Sequence, residues 1–169
     1  EHPSESRKLI FDSRCGQHRL IVTRSADVLT YVEQGVADVG ITGKDTILEY
    51  GGGMSFYERL DLTIGLCRMM TAAPVGFVVP SGALRVASKF VNIARSHYHS
   101  QGCQVELIKL TGAMEIAPVL GLADCIVDIV DTGNTLRANG LEAMDVICDV
   151  STRVIVNRAS MKTKFADVQ

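Results

Sequence analysis

The stretch DIVDTGNTL, residues 128–136, sets several kinds of binding group side by side. Asp128 and Asp131 are carboxylates, which accept hydrogen bonds from the hydroxyls of a sugar diol. Thr132 and Thr135 carry hydroxyl donors. Gly133 permits a tight turn and the close backbone approach that a phosphate needs. The N–H groups of Asn134, Thr135 and Leu136, opening a helix after a parallel strand, complete an anion site. Phosphate and ribose held on one loop describe a phosphorylated sugar. A plainer account fits the same residues, an Asp/Thr/Gly/Asn cluster that caps a helix after a strand. The residues alone leave both accounts open. The stretch is neither GxxxxGK[ST] nor GxGxxG, so it is not one of the common nucleotide loops.

Other residues of chemical interest are scattered. Arg68 interrupts an apolar run, where charge is costly unless it faces a cleft or a partner. Lys44 and Asp45 follow Gly43, and read either as ordinary first-turn helix residues or as ligands for an anionic substrate. Arg24 closes a strand-like segment and is open to both readings. Glu115 stands early in a short helical segment, where carboxylates are favoured in any case. His97 and His99 are two apart in a helical pattern and point in different directions, which disfavours a metal pair. Cysteines at 15, 67, 103, 125 and 148 are odd in number, widely spaced and lack CxxC. That pattern suits free thiols in a reducing cytoplasm, not a disulfide framework or a zinc site.

These groups need a scaffold. Strands are expected at 8–12 and 18–23 as a hairpin, and at 37–42, 62–70, 76–80, 84–88, 103–110 and 124–130. Residues 141–150 and 152–160 are expected as two more strands, or as one strand broken near Ser151. Helices are expected after an N-cap at Ser25, at 43–50 before Gly51-Gly52-Gly53, from a Ser88 cap to Gln101, at 113–123, at 135–140 and in the last residues. Strands alternating with helices predict an α/β fold rich in parallel pairing. A hinge is expected at 70–75, with a second crossing near 149–153. Residues 1–72 plus 150–169 then form one lobe and 73–149 the other.

The chain has 169 residues, 47% of them hydrophobic and 21% charged, with no Trp, so its core is aliphatic. The net charge of −2 argues against a general nucleic-acid binder. No apolar run reaches the ~18 residues of a membrane span, and no signal pattern is seen at the start.

Several segments, in order, resemble the catalytic subunit of the ATP phosphoribosyltransferase family. They are RKLIF (7–11), TYVEQGVADVGITGKD (30–45), LCRMM (66–70), ELIKLTGAMEIAPVLGLADCIVDIVDTGNTLRANGLE (106–142) and VNRAS (156–160). The resemblance covers most of the chain. It implies a two-lobed α/β fold like type II periplasmic binding proteins, with the active site in the cleft. It implies transfer of phosphoribosyl from phosphoribosyl pyrophosphate to N1 of ATP, the first step of histidine biosynthesis, with Mg2+ carried on the pyrophosphate and no metal ligand in the protein. Asp131, Thr132, Gly133, Asn134, Thr135 and Leu136 would grip the 5-phosphate, with Glu115 and Asp128 near the ribose. Arg24, Gly43, Lys44, Asp45 and Arg68 would lie on the opposite lobe, near ATP or pyrophosphate.

Two departures stand beside the resemblance. The family's opening strand and Pro-Lys-Gly-Arg segment have no counterpart before EHPSES, so the first lobe is expected to lack a strand. No regulatory domain follows VNRASMKTKFADVQ, as in the family's short form, which pairs with a regulatory subunit similar to histidyl-tRNA synthetase in a hetero-oligomer. No general base is nominated, because the reaction needs positioning and charge neutralisation more than proton transfer. The rival expectation is a non-catalytic two-lobed ligand-binding module, since this fold serves both purposes.

Overall fold

The computed structural model describes residues 7–51 and 55–168. The expected flexible glycine break lies partly outside them, as does EHPSES. The elements run in chain order: β1 (Ile10–Asp12), β2 (Arg19–Ile21), α1 (Ser25–Glu33), β3 (Val39–Gly43), α2 (Lys44–Tyr50), β4 (Phe56–Asp61) and β5 (Cys67–Pro74). There follow β6 (Leu84–Ser88), α3 (Val91–Ser100), β7 (Val105–Lys109), α4 (Ile116–Val119) and β8 (Cys125–Val130). The last are α5 (Asn134–Ala138), β9 (Leu141–Val150), β10 (Thr152–Asn157), α6 (Arg158–Thr163) and α7 (Phe165–Val168).

They form two lobes. The larger is a five-stranded sheet in the order β7-β6-β8-β5-β9. Strands β7, β6 and β8 are parallel, while β5 runs antiparallel to both β8 and β9. Along its strands the side chains alternate between two cores. Met69, Val86, Cys125 and Val127 pack with Ile93, Ala94 and Tyr98 of α3. Met70, Ala87 and Ile126 face the other way, onto Met114, Ala117, Leu136 and Leu141. The smaller lobe is a three-stranded sheet, β3-β10-β4, wholly antiparallel. Helix α1 lies on it so closely that a Cβ at Gly40 would stand 2.6 Å from Val28 and 2.7 Å from Val32. Leu29, Val32, Ile47, Phe56 and Ile155 fill its core. The β1–β2 hairpin flanks this lobe. Between the hairpin, α1 and the edge of β3 runs an apolar groove of about 1,020 Å³.

Several expectations need correction. Pairing is parallel only across β7-β6-β8, so neither lobe is the parallel-rich sheet expected. The boundary expected at 72/73 cuts β5, which belongs wholly to the larger sheet. The first part of the expected hinge at 70–75 is therefore buried core, with Thr71, Ala72 and Ala73 all at or below 2% exposure, while Val75, just past β5, is exposed. The chain instead crosses between lobes at 62–66 and at Ser151. These two passages are tied by Leu62 N–H to Thr152 O (2.9 Å) and Thr152 N–H to Ile64 O (3.0 Å).

Residues 76–80 form no strand. Gly76 turns left-handed at φ 78°, and Val78 is 82% exposed. Ser25 is the first helical residue and not a cap, since Arg24 holds the N-cap position. Strand β4 was not foreseen: only Phe56 of its six residues is buried, so no alternation marks it.

Candidate functional site

Three parallel strands end together. Ser88 of β6 lies beside Val127 of β8 and Lys109 of β7, so the residues that follow gather on one edge of the larger sheet. These are Lys89, the 110–115 turn with Glu115, and the 128–135 segment. Strand β5 begins at the same edge, with Arg68 opposite Val130 on one side and Asp149 of β9 on the other. Carboxyl edges of parallel strands are where α/β folds bind ligands.

Asp128 is half-buried, and burial above all pushes its carboxyl pKa upward. The Ile129 N–H, at 2.8 Å, works the other way; Glu115 raises the value further and Lys89 lowers it. Asp128 and Glu115 are thus brought within electrostatic reach, as a pair of acids for which no ion-pair partner is present among the described residues.

The adjoining loop is built from its own backbone. Gly133 adopts φ 74°, which an L side chain would strain. Thr132 Oγ1 accepts from Asn134 N–H at 3.4 Å. Arg137 folds back over the loop, donating to Thr132 O at 3.1 Å and to Asn134 Oδ1 at 2.6 Å. Asp131, Thr132, Asn134 and Thr135 are exposed at the surface. Leu136 is different: its side chain is 5% exposed and packs in the core, so only its backbone could meet a ligand.

The smaller lobe presents the start of α2 to this edge. Gly43 ends β3 opposite Thr152, and Lys44 N–H donates to Ser151 O at 2.9 Å, so α2 starts at the crossing. Lys44 Nζ meets Glu58 at 2.7 Å, and Glu58 also holds Arg153 at 2.9 Å. The Cys67 thiol, raised first by burial, is raised further by both Asp45 and Asp131. Cys148 likewise feels Lys44 and Asp45, after burial and Asp149. Acids expected on the two sides of the cleft therefore flank one spot at the start of β5.

Two expected positions differ. Arg68 belongs to the larger lobe, on the same sheet as the loop, and is exposed, so no buried charge has to be explained. Arg24 sits at the start of α1, its carbonyl taking the Asp27 and Val28 N–H groups, and its side chain forms no ion pair among the described residues. Sequence reading missed Lys89 and Arg137. Lys89 could have been found by asking which residue follows the strand parallel to β8. Arg137 lies one turn past Gly133. Among the described residues no three His, Cys, Asp or Glu side chains are placed to hold a metal ion.

The ATP phosphoribosyltransferase (HisG) family model matches residues 24–169. An ATP phosphoribosyltransferase of Pseudomonas fluorescens is 58% identical over all 169 residues, which span 80% of that relative. One from Pseudomonas syringae pv. syringae is 55% identical over the same span. Among solved structures, the ATP phosphoribosyl transferase (HisG:HisZ) complex from Thermotoga maritima aligns with a TM-score of 0.86 at 36% identity, covering 96% of this chain and 79% of that one. The alkanesulfonate-binding protein SsuA from Xanthomonas axonopodis pv. citri aligns with a TM-score of 0.53 at 13% identity, covering 85% of this chain and 56% of that one, a likeness of fold alone. The fold is the two-lobed α/β architecture of type II periplasmic binding proteins.

Proposed function

The chain belongs to the ATP phosphoribosyltransferase family, and we infer that it performs that family's reaction, the first step of histidine biosynthesis. Phosphoribosyl passes from phosphoribosyl pyrophosphate to N1 of ATP, and pyrophosphate leaves. The binding-module alternative is not favoured, since the relatives at 55–58% identity are transferases. The observation that carries the residue assignment is the shared edge: a half-buried acid pair, Asp128 and Glu115, beside an exposed loop shaped by Gly133.

In this reading the loop 131–136 takes the 5-phosphate through backbone N–H groups and the Thr132 and Thr135 hydroxyls. Asp128 and Glu115 accept hydrogen bonds from the ribose hydroxyls, which offsets the burial of Asp128. Arg68, Lys44, Asp45, Gly43 and Arg24 serve ATP and pyrophosphate. Lys44 must exchange Glu58 for a phosphate oxygen to do so. Adenine N1 is a free ring nitrogen and needs orientation more than deprotonation, so the lobes act by proximity and by charge placed where pyrophosphate departs.

Magnesium, when bound, supplies charge neutralisation on that leaving group. The residues fit an ion that would arrive on pyrophosphate, with Asp128 and Glu115 kept for the ribose hydroxyls. We also propose a regulatory partner related to histidyl-tRNA synthetase, as the Thermotoga HisG:HisZ complex suggests, and a cytoplasmic location, where the thiols stay reduced.

The test is steady-state phosphoribosyl-ATP formation by the full-length chain with a regulatory subunit. Asp131→Ala and Thr135→Ala are expected to lower kcat/KM for phosphoribosyl pyrophosphate on the order of a hundredfold. Turnover undiminished in both variants would remove the loop from the site. A folded wild type that turns over in no combination, and binds neither substrate, would overturn the transferase reading.

A further inference from the structure

The six ion pairs among the described residues all join groups within the hairpin, the smaller lobe or the larger lobe. One carboxylate reaches across. Glu49, in the last turn of α2 on the smaller lobe, places Oε2 at 2.9 Å from the Asn92 N–H and 3.1 Å from the Ile93 N–H, in the first turn of α3 on the larger lobe. Asn92 returns the contact, its Nδ2 donating to the Glu49 carbonyl at 2.8 Å. Among the described residues, these side-chain bonds join the lobes away from the crossing. Helix α3 has no capping side chain at its own N-cap, Phe90. Its free N–H groups, at the positive end of the helix dipole, are satisfied by an anion from the other lobe.

We propose that Glu49 is a positioning residue that latches the lobes over the cleft and so fixes the substrate-binding halves relative to each other. Both ends of the latch lead to the site. Helix α2 carries Lys44 and Asp45 in its first turn, one turn and a half from Glu49. Helix α3 follows directly on Ser88 and Lys89, and Lys89 acts on Asp128. Holding α2 to α3 therefore holds the polyphosphate residues against the sugar-binding acids. A two-lobed binder whose competent arrangement is held in this way takes ligand without first spending affinity on closing. The kinetic consequence rests on the transferase reading; the shape of the molecule in solution does not.

The experiment compares the wild type with Glu49→Ala, Glu49→Asp and Glu49→Gln, by small-angle X-ray scattering of the ligand-free full-length chain and by kinetics with its regulatory subunit. Glu49→Ala is expected to enlarge the radius of gyration. It should raise KM for ATP and phosphoribosyl pyrophosphate together, by roughly fivefold, with kcat at saturation almost unchanged. Glu49→Asp, one methylene short of α3, should behave as the alanine variant. Glu49→Gln keeps an acceptor oxygen without the charge and should fall between. A radius and two KM values unchanged in Glu49→Ala would overturn the latch, as would a Glu49→Asp indistinguishable from wild type. A fall in kcat with both KM values intact would also overturn it, because that marks a role in the chemistry. Should the alanine variant not fold, the aspartate and glutamine variants carry the same comparison. If the wild type shows no transferase activity the function fails, and scattering still decides the latch.

Discussion

With Asp128 on the ribose, as proposed, binding and stability would pull apart at this residue. Its carboxyl is raised by burial, so the folded protein holds the proton more tightly than the unfolded chain. Stability contributed by the neutral form is present at acid pH, and is lost as pH rises from the ordinary carboxyl value of 3.8 through the raised one. At neutral pH the charged, half-buried group is a cost that ligand hydroxyls would offset. Asp128→Asn is expected to raise Tm by a few degrees at pH 7, to leave it unchanged or lower near pH 3, and to weaken phosphoribosyl pyrophosphate binding at least tenfold. Calorimetry at the two pH values and a binding titration check the three parts, and a lower Tm at pH 7 would contradict the burial argument. Asp128, Asp131 and Gly133 stand out in the sequence as acids and a glycine closing an apolar strand, a pattern that ligand binding and helix capping both explain. The sequence could not show that Leu136 points into the core, since an apolar residue in a loop motif looks the same whether its backbone or its side chain matters. Nor could it tie Arg137 to Thr132 and Asn134, a contact made by a long side chain turning back on its own helix.

Among the elements, the strands buried on both faces were the readable ones. Cys125–Val130 and Leu84–Ser88 are short apolar runs because α3 covers one face of the sheet and α4 the other. Strand β4 exposes five of its six residues, so its sequence carries no period, and its strand character comes only from pairing with β10. The register of β6 against β8 has its own fastening, at the edge opposite the candidate site. Arg85 N–H meets Asp124 Oδ2 at 2.8 Å, and Arg85 Nη2 meets Oδ1 at 2.7 Å, joining the start of β6 to the start of β8. The Arg85 side chain and its backbone N–H hold the Asp124 pKa below the ordinary carboxyl value of 3.8. Stability from this carboxylate is therefore present above 3.8, and is lost as pH falls through the lowered value. Asp124→Asn should lower Tm at pH 7 and lower it progressively less as pH drops below 3.8. Equal destabilisation at pH 7 and pH 2.5 would show that the hydrogen bonds matter and the charge does not.

At the scale of the whole molecule, the edge of β3 and the hairpin leave Ile10, Leu20, Val22, Val39 and Ile41 from 41% to 59% exposed along one groove. A free strand edge lined with apolar side chains invites pairing with another chain. The 169-residue chain is expected to self-associate with rising concentration, and Val39→Lys to reduce that association, as read by sedimentation velocity. A monodisperse wild type at high concentration would refute this. The strand order of the smaller sheet carries a consequence for synthesis. Its central strand, β10, follows both of its neighbours in the chain, and among the described residues β3 and β4 pair only with it. Residues 67–150 can close their own sheet as one continuous stretch, whereas the described partner of Val39–Gly43 and Phe56–Asp61 is synthesised some ninety residues or more after them. Translation thus supplies every strand of the larger sheet before the strand that joins β3 to β4 among the described residues, a stage at which chaperones would have the smaller lobe to shield.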